Sequence, residues 1–135
     1  MPKPIRMNIY EENRILHASP VELVRILYTA AIRAVENARE NLQCGDIVGR
    51  SKEISKAQAI VAELSAAIDP SHSREFSERL LALYDYMQKQ LTRGHVRQED
   101  APLAEVSNLL STLLEGWAQC GVEQSGVEEM EPAFG

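Results

Sequence analysis

Residues 15–28 read ILHASPVELVRILY and contain the signals of a complete helix start. Ser19 is a preferred N-cap residue, and Pro20 suits the first helical position because its missing N–H would be unpaired there anyway. Glu22, three residues after the cap, can close a capping box with the Ser19 amide. The stretch therefore predicts a well-capped α-helix that begins at residue 20.

Stop and start residues divide the rest of the chain into three further helical segments. Gly45 suits the left-handed residue after the first helix, and Asp46 caps the second. Asp69-Pro70 breaks the second helix, and Asp100 caps the fourth. The predicted helices cover residues 20–43, 47–68, 74–93 and 101–120, with Gly94 and Gly121 as the stops of the last two.

The connections between these segments are short, so consecutive helices are expected to be antiparallel neighbours. At 135 residues the chain is expected to form one domain. The sequence therefore predicts an all-α fold, an antiparallel up-down four-helix bundle with a short N-terminal helix or cover segment. We expect a cover segment at 1–17, the bundle at 18–120 and an acidic disordered tail at 121–135.

Apolar residues repeat at helical spacing in each of the last three helices, as expected for bundle packing. The predicted core stripes are Ile47, Ile54, Ala57, Val61, Leu64 and Ile68 in the second helix, Phe76, Leu80, Leu83, Met87 and Leu91 in the third, and Leu103, Val106, Leu110, Leu113 and Trp117 in the fourth. Leu81 and Tyr86 lie off the core stripe of the third helix.

The first helix is apolar over about two-thirds of its circumference, so it must be covered on two sides. Its predicted core face consists of Leu23, Ile26, Leu27, Ala30, Ala34 and Ala38, and an adjoining strip consists of Val24, Tyr28, Ala31 and Val35. Two interpretations fit this pattern. In the first, the apolar circumference is purely structural: the helix is central in the fold, or residues 5–16 fold back over it. In the second, the strip forms a groove for an apolar peptide, and the N-terminal segment covers this groove when it is empty. Ile9, Tyr10, Ile15 and Leu16 are the apolar residues that such a cover would use.

Composition excludes several function classes. The net charge of -6 argues against a nucleic-acid binder, which needs a basic face. No apolar run is long enough for a membrane span, and no signal segment directs the chain out of the cytosol. Cys44 and Cys120 are too few for a disulfide framework, so we expect reduced thiols in a cytoplasmic protein.

No pattern of catalytic or metal-ligating residues is present. The three histidines, His17, His72 and His95, fall outside the predicted helices and have no second ligand at metal spacing on a continuous helix. Phosphate loops and nucleophile motifs are also missing. We therefore expect no enzyme and no cofactor. Two classes remain: a module that binds an amphipathic polypeptide, and a helical signalling bundle of the histidine phosphotransfer type. The second class is disfavoured because it needs an exposed histidine in mid-helix.

Four motifs in order resemble the FliS-type flagellin export chaperones. They are ASPVELVRILY at 18–28 with Tyr10 upstream, Gly45-Asp46-Ile47 at the first helix junction, KAQAIVAEL at 56–64 and LYDYM at 83–87. The resemblance covers roughly residues 8–119. It implies a cytosolic chaperone that binds the C-terminal segment of flagellin, prevents premature polymerisation and assists delivery to the export gate of the flagellar secretion system. Weak self-association through an unoccupied groove stays open.

The resemblance and the pattern of the first helix together select the expected contact residues. Tyr10 matches the N-terminal tyrosine of the family, and the matching second and third helices contribute part of the groove. The expected partner-binding residues are Ile9, Tyr10, Val24, Tyr28, Ile60, Leu64, Leu81, Tyr84 and Met87.

Overall fold

The computed structural model describes residues 19–71 and 73–123. Within these ranges the chain forms four α-helices and no strand, as predicted. The helices are α1 (Pro20–Cys44), α2 (Ile47–Ala66), α3 (Arg74–Arg97) and α4 (Asp100–Glu123).

The predicted caps of α1 and α2 are confirmed. The Glu22 amide donates to Ser19 Oγ at 3.1 Å, and the Gly49 amide donates to Asp46 Oδ1 at 2.8 Å. Gly45 has φ 77°, a left-handed conformation that favours glycine, and its amide and that of Asp46 bond to the last carbonyls of α1. Local side-chain chemistry therefore sets the turn between α1 and α2.

Interhelical hydrogen bonds show the antiparallel order of the bundle. Each helix packs on two neighbours, α1 on α2 and α4, and α3 on α2 and α4. The end of α1 meets the start of α4, where Arg39 Nε and Nη2 donate to Asp100 Oδ1 and Oδ2 at 2.8 and 2.9 Å. Between α2 and α3, the Gln58 and Gln88 side-chain amides each donate to the other residue's backbone carbonyl.

The core has a continuous set of fully or nearly fully buried apolar side chains from all four helices. They are Val24, Tyr28, Ala31, Ala34, Val35 and Ala38 of α1, Ile54, Ala57, Ile60, Val61 and Leu64 of α2, Leu80, Tyr84, Met87 and Leu91 of α3, and Leu103, Val106 and Leu110 of α4. Most positions of the predicted stripes of α2, α3 and α4 therefore lie in the core. Ile47 and Phe76 do not: both are exposed, since they occupy the first turns of their helices, where neighbours cover them less.

Helix α3 does not stop at Gly94 as predicted but continues to Arg97, and Gln98 takes the left-handed conformation after it. Gly94 is buried inside the helix, where a Cβ atom, if one were present, would lie 2.6 Å from Leu103 Cδ2. The glycine therefore serves close packing of α3 on α4 and does not end the helix. His95 consequently lies within the last turn of α3, and the prediction that it follows the helix end was wrong.

The other helix ends differ from the prediction by a few residues. Helix α2 ends at Ala66, two residues before the predicted end. Asp100 is the first residue of α4, with its carboxylate bound to Arg39, and α4 continues through Gly121 to Glu123. Helix α4 therefore ends three residues after the predicted helix end at 120.

Candidate partner-binding site

Two of the expected contact residues, Tyr28 of α1 and Tyr84 of α3, meet in the middle of the core. Their hydroxyl oxygens lie 2.6 Å apart, and neither side chain has exposed surface. Burial raises the pKa of both phenols above the usual value, so both stay protonated at neutral pH. One hydrogen bond thus joins two diagonal helices of the bundle. The pair is positioned to fix the bundle, and a peptide cannot reach it in this conformation.

The remaining expected residues on α1, α2 and α3 are also in the core, apart from Leu81. Val24, Ile60, Leu64 and Met87 are buried. A surface groove lined by these side chains is therefore not present in this conformation. Their contact with a partner stays a prediction that requires a movement of the helices.

The burial of α1 differs from the prediction at its apolar residues before Ala31, whereas Ala34 and Ala38 lie in the core as predicted. The face that carries Val24 and Tyr28 is buried. In contrast, four residues that were assigned to the core face are half-buried: Leu23, Ile26, Leu27 and Ala30. Both faces are apolar, so periodicity could not decide between them. The small buried residues Ala31, Ala34 and Ala38 accompany the true core face, where they allow neighbouring helices to approach closely.

Leu23, Ile26, Leu27 and Ala30 form a surface that we call the α1 strip. Because an α-helix turns by about 100° per residue, these side chains lie on the same side of α1 as Asn37. The side-chain amide of Asn37 donates a hydrogen bond to the Glu53 carboxylate of α2. The strip therefore runs along the α2 side of α1, and it begins four residues after the cap at Ser19. The sequence analysis assigned these residues to the core face, so their partial exposure was not expected.

Leu81 is placed as predicted. Its side chain is 37% exposed on α3, whereas the neighbouring Leu80 is 4% exposed and belongs to the core. An exposed leucine beside a buried one gives a direct test of surface contact against packing.

A shallow groove lies on the outer side of α4. Ala101, Ala104, Glu105, Asn108, Leu109 and Thr112 line an open groove of about 540 Å³ on α4. Glu105 borders it and accepts hydrogen bonds from Tyr86 Oη and Gln90 Nε2, each at 2.7 Å. The bond to Glu105 raises the pKa of the exposed Tyr86 phenol. The groove is mixed in polarity, and neither its alanines nor Leu109 were singled out from the sequence.

Ile9 and Tyr10 lie outside the described residues, as do His17 and His72. Among the described residues no group of histidine, cysteine, aspartate and glutamate is arranged to hold a metal ion. His95 is half-buried, and its Nδ1 accepts a hydrogen bond from Arg50 Nε at 3.0 Å. None of the described helices combines the length and apolarity that a membrane span needs.

Comparison with known proteins gives consistent matches over most of the chain. Residues 3–124 match the model of the family described as flagellar protein FliS. The chain is 34% identical over 115 residues to the flagellar secretion chaperone FliS of Salmonella typhimurium, covering 84% of this chain and 85% of the relative. It is 27% identical over 110 residues to the flagellar secretion chaperone FliS of Bacillus subtilis, covering 82% and 81%.

Proposed function

The chain belongs to the FliS family of flagellar secretion chaperones, and we propose that it binds the C-terminal segment of flagellin in the cytoplasm. Binding would keep flagellin from polymerising early and assist its delivery to the flagellar export apparatus. The family is one of chaperones and not of enzymes.

The observation that carries this proposal is the two-sided apolar character of α1. One face of the helix packs in the core, and the α1 strip leaves a second apolar face half-exposed. An amphipathic segment that folds as it binds can bury its apolar side on such a face, the recognition mode in which a helix lies in a groove. The buried core of the bundle does not depend on this contact, so the chaperone can fold before its partner arrives.

Calorimetry with a purified flagellin C-terminal peptide of about 40 residues tests the proposal. We expect one-to-one binding, a gain of helix by circular dichroism and a negative heat-capacity change from apolar burial. A wild-type protein that binds no such peptide would contradict the proposed function.

Leu81→Ala and its matched control Leu80→Ala separate surface contact from folding. Leu81→Ala should weaken peptide binding by roughly 1–3 kcal/mol and change the stability of the free bundle little, since the side chain is partly exposed. Leu80→Ala should lower the free energy of unfolding by about 2–5 kcal/mol, because it leaves a cavity in the core. If Leu81→Ala binds like wild type, the contact surface does not include this part of α3.

A further inference from the structure

A buried arginine at the start of α2 is hydrogen-bonded to a histidine in the last turn of α3. Arg50 is 4% exposed, its Nε donates to His95 Nδ1 at 3.0 Å, and its Nη2 donates to the His95 carbonyl at 3.4 Å. An arginine can only donate hydrogen bonds, so the Nδ1 atom that accepts this one carries no proton. The contact therefore requires a neutral His95 whose proton is on Nε2.

The first two turns of α2 contribute no apolar side chain to the core. Ile47 and Val48 are 58% and 67% exposed, and the buried apolar side chains of α2 begin at Ile54. Among residues 47–53 the side chain of Arg50 is the one that is buried. The position of these turns against α3 therefore depends on the Arg50–His95 contact more than on apolar packing.

The other charged groups on this part of α2 have different partners or face solvent. The Asp46 carboxylate accepts from the Gly49 amide at 2.8 Å, and the Glu53 carboxylate accepts from Asn37 Nδ2 at 3.5 Å. Lys52 is exposed. In the described part of the chain, neither carboxylate of α2 is paired with the buried guanidinium or with the imidazole.

The charged groups at the end of α3 and the start of α4 are occupied in the same way. Glu99 pairs with Arg93 at 3.5 Å, and Asp100 accepts from Arg39. Arg97 is exposed in the last turn of α3. A proton added to the imidazole would therefore place a second positive charge against the guanidinium, and none of the carboxylates described at this end of the bundle contacts either group.

From this geometry we propose that the Arg50–His95 contact is a pH-sensitive switch in the fold. Histidine changes its charge between about pH 8 and pH 5. Protonation removes the acceptor at Nδ1 and sets a cation beside the guanidinium, which stays charged throughout this range. Because the neutral imidazole makes the contact, the contact is present at the higher pH and is lost as the pH falls. The first turns of α2 and the last turn of α3 then open locally, while the core from Ile54 onward keeps the bundle folded.

Amide hydrogen exchange, followed by NMR on the full chain, tests the proposal. Protection factors at residues 50–53 and 94–97 should fall by roughly 10-fold between about pH 7.5 and pH 5. Those at residues 60–64, in the core part of α2, should stay within about twofold. Carboxylates ordinarily titrate near pH 4, below this range, so the change reports on a histidine.

Three variants identify the groups responsible. His95→Asn keeps an acceptor near the position of Nδ1 but gains no proton, so its protection factors at residues 50–53 should not change over this pH range. Arg50→Gln removes the cation and should also abolish the pH dependence, with circular dichroism to show that the bundle is folded. His72→Asn removes a histidine outside this contact and is the matched control, so it should keep the pH dependence of wild type.

Several results would overturn the proposal. They are protection at residues 50–53 of wild type that does not change with pH, a pH dependence in His95→Asn equal to that of wild type, and imidazole nitrogen shifts that place the His95 proton on Nδ1 at about pH 8. Loss of the pH dependence in His72→Asn would assign it to that histidine and would also overturn the proposal. If Arg50→Gln does not fold, the comparison of His95→Asn with His72→Asn decides.

Discussion

Gly94 lies at a point where α3 has no room for a side chain. A Cβ there would approach Leu103 Cδ2 and Cγ at 2.6 and 2.7 Å, and Leu103 is fully buried. Gly94→Ala should therefore lower the free energy of unfolding by about 1–3 kcal/mol, since overpacking outweighs the gain in helix propensity. Gly116→Ala is the control, because a Cβ at Gly116 in α4 meets nothing within 4 Å. It should stabilise the protein by up to about 1 kcal/mol. Denaturant unfolding measures the change in the free energy of unfolding for both variants. Equal changes would argue against the close contact between Gly94 and Leu103.

Asp100 makes the stability of the bundle depend on pH. The hydrogen bonds from Arg39 lower the pKa of this carboxyl, and Arg39 also bonds Glu36, whose Oε2 accepts from Ser107 Oγ at 2.6 Å. A lowered pKa in the folded state means that the ionised carboxylate stabilises the fold above the unfolded-state pKa of about 3.9. That contribution is lost as the pH falls below this value. The Asp100→Asn variant should therefore have a lower free energy of unfolding than wild type at pH 7. Urea titrations should show that this difference becomes smaller toward pH 3. If the difference in the free energy of unfolding did not change with pH, the charge of the Arg39–Asp100 pair would not contribute to stability.

At the scale of single elements, the caps and the loops were predictable because their chemistry is local. Ser19, Gly45 and Asp46 act through hydrogen bonds and backbone conformation within a few residues. The choice between the two faces of α1 was not predictable, because both are apolar and the choice depends on contacts with distant helices. Tyr28 meets Tyr84 at a separation of 56 residues, and no periodicity within α1 signals that contact.

In the candidate site, too, local features were predictable from the sequence, whereas features that depend on contacts between distant helices were not. The exposure of Leu81 followed from its position off the core stripe of its own helix. Gly94 was misread as a stop because the sequence does not show that Leu103 packs against it. The burial of Arg50 was missed for a related reason, since a lone arginine in an amphipathic helix gives no sign that it will pack against a histidine 45 residues later.

The first helix also sets an expectation for the segment before it. Removal of residues 1–16 should leave the four helices folded, because all four helices contribute to the core formed by the described residues. Since the α1 strip is apolar and half-buried, the shortened protein should bind an apolar dye more strongly or self-associate. Circular dichroism measures the helix content of the full and the shortened protein, and dye fluorescence measures their exposed apolar surface. Loss of helical signal would show that the N-terminal segment is an integral part of the core and not a cover.

At the scale of the whole molecule, the polar contacts between helices establish which ends lie together. Arg39 and Asp100 join the end of α1 to the start of α4, and Arg50 and His95 join the start of α2 to the end of α3. The Gly45 turn and the short loop after α3 lie at this same end. The starts of α1 and α3 therefore lie at the opposite end, together with the end of α4.

This arrangement determines whether the two cysteines can meet. Cys44 is a free, exposed thiol at the end of α1, beside the start of α4, whereas Cys120 is 20 residues further along α4. A helix rises 1.5 Å per residue, so about 30 Å separates the two positions, against the 7 Å or less between Cα atoms that a disulfide requires. We expect intact mass and thiol labelling of native protein purified without reductant to show both cysteines reduced in the monomer. An intramolecular bridge would require α1 and α4 to run parallel, which the Arg39–Asp100 and Ser107–Glu36 contacts oppose, since they pair positions that run in opposite directions along the two helices.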